Sequence, residues 1–306
     1  MFSVLLPAFK LTYLREAIDS VLAQSFPDFE LIIVNDRSPE DIAGLVATYS
    51  DNRISYFENE FNLGSKNLVY AWNRCIEFAN REYGIIFSDD DILHQRFLEE
   101  ISLLIAKYQA HDLFYARPAV IDKNGALLRM TTSSPEWEDV YDFIWHRVSG
   151  KRDLFAQNFV FRLSALKAIG GFVDFPMAWA SDDATWFLLS KSKGVVASSK
   201  ALVYWRWSEI NISNAGNFKH RLEAVKLFQE WCHNFVEGLD DLSGEHQFIK
   251  NQIIRQLPLR TLHSEQYLLS RLFRTKGSLR GILFYIRNRN HFGFGFKGML
   301  KLMFRA

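Results

Sequence analysis

Three consecutive aspartates, Asp89, Asp90 and Asp91, close the apolar run 83–87. Neighbouring carboxylates repel one another, so a fold tolerates them mainly where a cation or a cluster of donors is due. Hard divalent ions such as Mg²⁺ take one or two carboxylates together with the phosphates of a substrate. The alternative is a solvated turn before a helix, whose N-terminus also favours acids. A second acidic pair, Asp182-Asp183, heads the apolar tract 184–189 at the start of a predicted helix. A third cluster, Asn35-Asp36-Arg37, follows a strand-like run.

The elements that must position these clusters can be read from periodicity. Residues 2–6 form a continuous apolar run closed by Pro7, the pattern of a buried strand. Leu14, Ala17, Ile18, Val21 and Leu22 follow at helical spacing. Strands are predicted at 29–34, 54–57 and 83–87, with helices over 40–49 and 65–80. Strand and helix alternate, which implies an α/β fold with parallel order and right-handed crossovers. Ligands in such sheets sit beyond the carboxyl ends of the strands. Pro7-Ala8-Phe9, Asn35-Asp36-Arg37 and Ser88 with the three aspartates all fall there, and three such ends point to a nucleotide or sugar-phosphate site.

After Asp91 the alternation gives way to a mixed pattern. A helix is predicted over 95–109, a strand over 113–121, and a turn at Asp122-Lys123-Asn124-Gly125 into 127–130. Trp137, Val140, Tyr141 and Ile144 suggest a helix, and Ser164 suits the cap of a short helix ending at Gly170-Gly171. Strands near 195–197 and 201–205 precede a mostly helical remainder after Asn217.

Composition narrows the class. Hydrophobic residues make up 48% and charged residues 23%, enough apolar material for a real core. Only two cysteines occur, Cys75 and Cys232, so no disulfide framework is expected, in keeping with a reducing compartment. No secretory signal is visible, and no apolar stretch is long enough to span a bilayer. The net charge of +1 hides an asymmetry. From Lys250 onward twelve Lys and Arg face the single acid Glu265, a net of +11, which leaves −10 for the preceding residues. Basic residues interleave with Phe, Leu, Ile and Met in 278–305, as in helices that lie on anionic membranes. No nucleic-acid reading motif accompanies them. Packing on the preceding part of the chain or on a second subunit is the other use of such a tail, and an oligomer is possible.

These motifs together resemble the opening of family 2 inverting glycosyltransferases. The likeness runs from Phe2-Ser3-Val4-Leu5-Leu6-Pro7-Ala8-Phe9 through 13–25 and 29–38, then Asn62-Leu63-Gly64, Ala71-Trp72-Asn73-Arg74-Cys75 and Ser88-Asp89-Asp90-Asp91. It covers about the first 120 residues, weakens through the acceptor half and is not seen beyond about 216. It implies a GT-A fold: a Rossmann-like nucleotide-binding sheet fused to a mixed acceptor-binding half, here with a helical C-terminal appendage. The expected units are a catalytic domain over 1–215, divided into a nucleotide-sugar half (1–120) and an acceptor half (121–215), and a basic helical region over 216–306.

The resemblance also implies roles. Pro7 and Phe9 would border the base, and Asp36 would accept from its N3–H, although Asn35 and Arg37 stand where Asp and Gly are usual. Asp89 and Asp91 match the Asp-x-Asp motif. One would bind ribose and the other a Mn²⁺ or Mg²⁺ ion bridging the diphosphate, with Asp90 able to replace either. Asp183 would be the general base, and Asp182 either an N-cap or an acceptor-side group. Trp179 would stack on a sugar, and Arg206, in the segment 204–213, would offset phosphate charge. The family's His in that segment is absent here.

The implied activity is a hexosyl- or N-acetylhexosaminyl-transferase using a nucleotide-sugar donor, UDP-linked, and a glycan or lipid-linked acceptor. It would be cytoplasmic, or peripheral on the inner face of the membrane. The alternatives are a sugar-1-phosphate nucleotidylyltransferase and a non-catalytic scaffold. The first is disfavoured by the absence of Gly in Pro7-Ala8-Phe9-Lys10, the second by the intact acidic pairs.

Overall fold

The computed structural model describes residues 1–208, 217–240 and 243–304. Its sheet begins with β1 (Phe2–Ala8), β2 (Phe29–Asn35), β3 (Ile54–Glu58) and β4 (Tyr83–Ile86), lying side by side in the order β3-β2-β1-β4. All three pairings are parallel, joined through α1 (Leu14–Leu22), α2 (Ile42–Val46) and α3 (Leu68–Glu77). Strand side chains alternate between two apolar layers. Leu5, Ile32, Val34 and Ile86 pack with Val69, Trp72 and Cys75 of α3. Val4, Leu6, Ile33 and Ile85 pack with Leu14, Ile18 and Val21 of α1. Burial on both faces is why β1, β2 and β4 read as continuous apolar runs, whereas the edge strand β3 is half-exposed, and each buried Leu or Ile contributes on the order of 2 kcal/mol.

Pro7 lies inside β1 rather than ending it. The Leu5 carbonyl accepts from Phe87 N–H (2.8 Å) on the β4 side, and strand alternation turns position 7 to the same side. Pairing with β4 has stopped at Leu5 opposite Ile86, so the proline's missing N–H breaks no ladder bond.

The same sheet continues beyond the triplet. Its elements are β5 (Ile92–Leu93), α4 (Phe97–Lys107), β6 (Leu113–Ile121), β7 (Leu127–Met130), β8 (Trp137–Glu138), α5 (Val140–Val148), a 3-10 turn (Ala156–Asn158), β9 (Phe159–Arg162), α6 (Leu163–Ala168), α7 (Ser181–Ser190) and β10 (Val195–Arg206). Beyond β4 the order is β9-β6-β10-β5, with β9 antiparallel to both of its neighbours. The two strands predicted at 195–197 and 201–205 are one strand with register shifts between Ser198 and Val203. Ser164 does not cap α6: the cap position is Arg162, and Ser164 lies inside the first turn.

The C-terminal region is helical, with α8 (Phe218–Glu237), α9 (Gly244–Lys276), α10 (Ser278–Arg287) and α11 (Phe296–Met303). Phe228, Cys232, Val236, Ile253 and Leu257 join the main core, whereas Leu269, Leu272, Phe273, Tyr285 and Met299 form a smaller cluster. The expected boundary at 215–216 falls outside the described residues. No helix among the described residues is long and apolar enough to cross a membrane.

Candidate active site

Asp36, at the end of β2, is buried and serves as the hub of the first loop cluster. Its Oδ1 accepts from Asn59 Nδ2 (2.8 Å) and Leu63 N–H (2.9 Å), and its Oδ2 from Gly64 N–H (2.7 Å). Asn62-Leu63-Gly64 is therefore a backbone cradle for Asp36. A Cβ at Gly64 would stand 2.9 Å from Asp36 Oδ2, so glycine is what permits the approach. A carboxylate offers about four acceptor sites; three are filled, and Oδ2 keeps one. The next residue, Arg37, takes φ 55°, a left-handed conformation costing a non-glycine residue about 1 kcal/mol. That accounts for glycine as the usual residue there, and the Arg37 side chain turns out to pair with Glu58 at 2.5 Å.

The aspartate triplet follows β4. Asp89 Oδ2 accepts from the backbone N–H of both Phe9 and Lys10 (2.9 Å each), tying the triplet to the loop after β1. Ser38 Oγ donates to the Phe9 carbonyl (2.6 Å), so the same loop is joined to the end of β2. Pro7 and Phe9 are half-buried along this edge. Ser88 Oγ donates to Asp90 Oδ1 at 2.5 Å. Asp91 is fully buried; its Oδ1 accepts from Arg206 N–H (2.7 Å) and its Oδ2 from the Gln157 amide. Burial, then the charge of Asp90, pushes the Asp89 carboxyl up to about 6 and Asp91 well above the usual carboxylate range.

This accumulated negative charge suits a hard cation, which would relieve the repulsion within one turn. Among the described residues no three His, Cys, Asp or Glu converge into a metal cage. The set fits an ion that draws its remaining ligands from substrate phosphates, as Mg²⁺ commonly does.

Arg206 lies beside the triplet and is fully buried, with no exposed surface to offer a ligand. Its Nε donates to the Asp90 carbonyl (2.8 Å) and its Nη2 to Glu16 Oε2 (2.6 Å), while the guanidinium sits 4.2 Å from the Tyr13 ring centroid. Residues 209–213 of the same motif lie outside the described residues.

The second acidic pair begins α7. Met177, Ala178 and Ala180 adopt φ 60°, 54° and 59° just before it. Three left-handed non-glycine residues in four are a concentration of strain of the kind that gathers at functional sites. They bring the half-buried Trp179 ring to 5.3 Å from the Arg221 guanidinium and set the start of α7. Asp182 is not the N-cap: Ala180 holds that position, and both acids lie in the first turn. Asp183 is buried, with Arg147 Nε on Oδ1 (2.6 Å) and Arg260 Nη2 on Oδ2 (2.9 Å). Burial alone would raise the Asp183 carboxyl, but the two guanidinium groups outweigh it and hold it below the usual range. Burial and the Asp183 charge push the half-buried Asp182 up to about 6.

Sequence reasoning missed Arg147, Arg260 and Gln157. Their carboxylate partners lie 36, 77 and 66 residues away, and no short spacing announces such contacts. The only available signal was general: a buried carboxylate must find donors.

Residues 3–170 match the family described as Glycosyl transferase family 2, more than half of the chain. An "uncharacterized glycosyltransferase" of Rickettsia bellii is 32% identical over 132 residues, 42% of this chain and 18% of that protein. Glycosyltransferase GlyA of Streptococcus pneumoniae is 31% identical over 111 residues (35% and 15%), and the putative glycosyltransferase EpsE of Bacillus subtilis 30% over 127 (40% and 45%). The match thus spans less than half the length of each of these relatives. Among solved structures, Staphylococcus aureus TarS 1–349 in complex with UDP-GlcNAc has a TM-score of 0.68 at 17% identity, covering 99% of this chain and 90% of that one. Mannosyltransferase PcManGT from Pyrobaculum calidifontis, in complex with GDP-Man and Mn²⁺, has a TM-score of 0.56 at 15% identity (94% and 79%). At these identities the structural likeness speaks to the fold alone. With the family match over most of the sheet and its acid-bearing strand ends, the chain belongs to glycosyl transferase family 2 and adopts a GT-A fold.

Proposed function

We propose that this glycosyltransferase moves a hexosyl or N-acetylhexosaminyl group from a UDP-linked sugar to a hydroxyl of a surface glycan or lipid-linked acceptor. Transfer inverts the anomeric carbon and uses a divalent cation. The observation that carries this reading is the stretch 152–158. Its Arg152 carbonyl accepts from Arg147 (3.0 Å), the arginine that holds Asp183, and its Gln157 amide bonds Asp91. One short segment ties the acceptor-side acid to the triplet, the coupling that a displacement between a base and a leaving group requires. TarS with UDP-GlcNAc and PcManGT with GDP-Man and Mn²⁺ support a nucleotide-sugar donor and a divalent ion.

In this reading Pro7 and Phe9 border the base, and Asp36 Oδ2 offers its remaining acceptor site to the base N3–H. Asp90 faces the ribose, while Asp89 and Asp91 supply the metal-side carboxylates. A bound Mn²⁺ or Mg²⁺ supplies Lewis-acid neutralisation of the charge that develops on the departing β-phosphate. Asp183 takes the acceptor hydroxyl's proton as that oxygen attacks C1, and the C1–O bond to phosphate breaks with its electrons leaving on the nucleoside diphosphate. Asp182 and Trp179 line the acceptor side, where the indole offers an apolar face to a sugar ring. Arg206 acts on the donor indirectly, by fixing the backbone around the triplet.

A thermal-shift screen of UDP- and GDP-sugars with and without Mn²⁺ tests this assignment. A UDP-sugar should raise the melting temperature, and more so with Mn²⁺. A response to GDP-sugars alone would overturn the base assignment, and no response to any nucleotide sugar would overturn the donor reading.

The acceptor class bears on α10. Leu279, Leu283 and Ile286 are 71, 43 and 56% exposed and recur at helical spacing beside the exposed Lys276, Arg280 and Arg287. An apolar stripe flanked by cations supports docking on an anionic bilayer. Flotation should recover the protein with vesicles containing phosphatidylglycerol and not with pure phosphatidylcholine; equal recovery would remove the electrostatic part of this reading.

A further inference from the structure

We propose that Arg260, on the C-terminal helix α9, is a positioning residue for sugar transfer that fixes the Asp183 carboxylate for proton removal. The C-terminal helical region is thereby part of the active site. The inference rests on Asp183 being the general base.

The geometry is specific. Arg147 of α5 holds one oxygen of Asp183 and Arg260 holds the other, so the carboxylate cannot rotate. Each oxygen accepts one bond from these two arginines and retains an acceptor site for an incoming hydroxyl proton. Arg260 is itself held in place. Its guanidinium lies 4.7 Å from the ring centroid of Phe228 on α8, and Ile253 and Leu257 seat the preceding turns of α9 in the main core.

The groups facing Asp183 are few. Asp182 adjoins it on α7, Arg147 comes from α5, Arg260 from α9, and Cys232 lies near it on α8. Burial pushes the Cys232 thiol up to about 12, so it stays neutral. The positive charge that keeps Asp183 ionised comes from the two arginines alone among these groups.

Stability by itself is a weak account of the arrangement. Buried ion pairs often contribute little beyond what well-packed apolar residues would. Two guanidinium groups converging on one carboxylate do, however, set its orientation and its protonation state.

The test uses the full chain with Mn²⁺ and UDP-GlcNAc as the probe, following UDP release to water, together with a ¹³C-carboxyl NMR titration of Asp183 in the ligand-free protein. Arg260→Gln should lower kcat about tenfold while leaving KM for the donor nearly unchanged. It should also move the acid limb of the pH–rate profile, and the Asp183 titration, to higher pH. Arg260→Lys keeps the charge but loses the planar fork, so it should leave the acid limb in place and recover part of kcat.

Asp183→Asn separates the two readings. If it abolishes turnover while Arg260→Gln keeps both kcat and the acid limb, the role of Arg260 is overturned and the base assignment stands. If Asp183→Asn retains full turnover, the base assignment fails and this inference with it. If Arg260→Gln does not fold, wild-type kcat in Arg260→Lys overturns the proposal. If UDP-GlcNAc is not turned over, an unchanged Asp183 titration in Arg260→Gln does so.

Discussion

The acids on the two sides of the site are held by different means. Asp36 and Asp89 accept from neutral donors: four backbone N–H groups and one side-chain amide between them. Asp183 is held by two guanidinium groups. Asp36 and Asp183 are buried and Asp89 is half-buried, yet the Asp89 carboxyl is pushed up to about 6 while Asp183 is held low. Burial acts in the same direction on Asp89 and Asp183; the charge of the partners decides the outcome. Amide donors orient a carboxylate and leave its negative charge for a ligand to meet. Arginines neutralise that charge and keep the proton off, which suits the proposed role of Asp183 as base.

This contrast can be broken at several points. Asp183→Asn should lower kcat by about a thousandfold with UDP affinity unchanged by calorimetry, because general-base catalysis is worth roughly 10²–10⁴. Wild-type turnover would remove the functional half of the comparison. Asp36→Ala orphans the donors of Asn59, Leu63 and Gly64, and should lower unfolding free energy by about 3 kcal/mol in urea. An unchanged midpoint would mean that water replaces the carboxylate there. Gly64→Ala presses a methyl group on Asp36 Oδ2 and should cost about 1–2 kcal/mol together with weaker UDP binding.

The smallest effect concerns pH. Burial, then the charge of Asp183, pushes Asp182 up to about 6 from an ordinary value of 3.8. A raised carboxyl means that its contribution to stability is present below the unfolded value and is lost as pH rises through the folded one. Asp182→Asn should therefore match the parent near pH 4 and exceed it above pH 6, by on the order of 1 kcal/mol and a few degrees in melting temperature. A constant difference across that range would show that the Asp182 proton is not linked to folding.

The same contrast explains what was legible in the sequence. The parallel strands announced themselves because burial on both faces makes continuous apolar runs. The strand-end acids were visible because their donors lie in short motifs, Asn62-Leu63-Gly64 and the loop after Pro7. The acidic pair was visible too, but not the arginines that define its chemistry, since they arrive from α5 and α9 across long separations. Nor could periodicity show that Arg206, on the last strand, faces inward. A lone arginine beside Trp205 and Trp207 reads the same whether it meets phosphate or Glu16. The strained turn at 177–180 was equally silent, because Met and Ala give no sign of left-handed backbone.

Arg206 also sets a clock on the folding of this chain. It lies 190 residues from Glu16 and 115 from Asp91 in sequence, and it bonds both. A ribosome adding about 5–20 residues per second leaves roughly ten seconds between the emergence of Asp91 and that of its donor. Through that interval the triplet has its charges but not the strand that buries them, so the loop after β4 must stay hydrated while the first three strands pair. Closure then depends on a contact of very long range, the kind that slows folding most. In refolding, the loop after β4 should accordingly gain protection from hydrogen exchange late, together with β10, even though its aspartates lie in the first third of the chain.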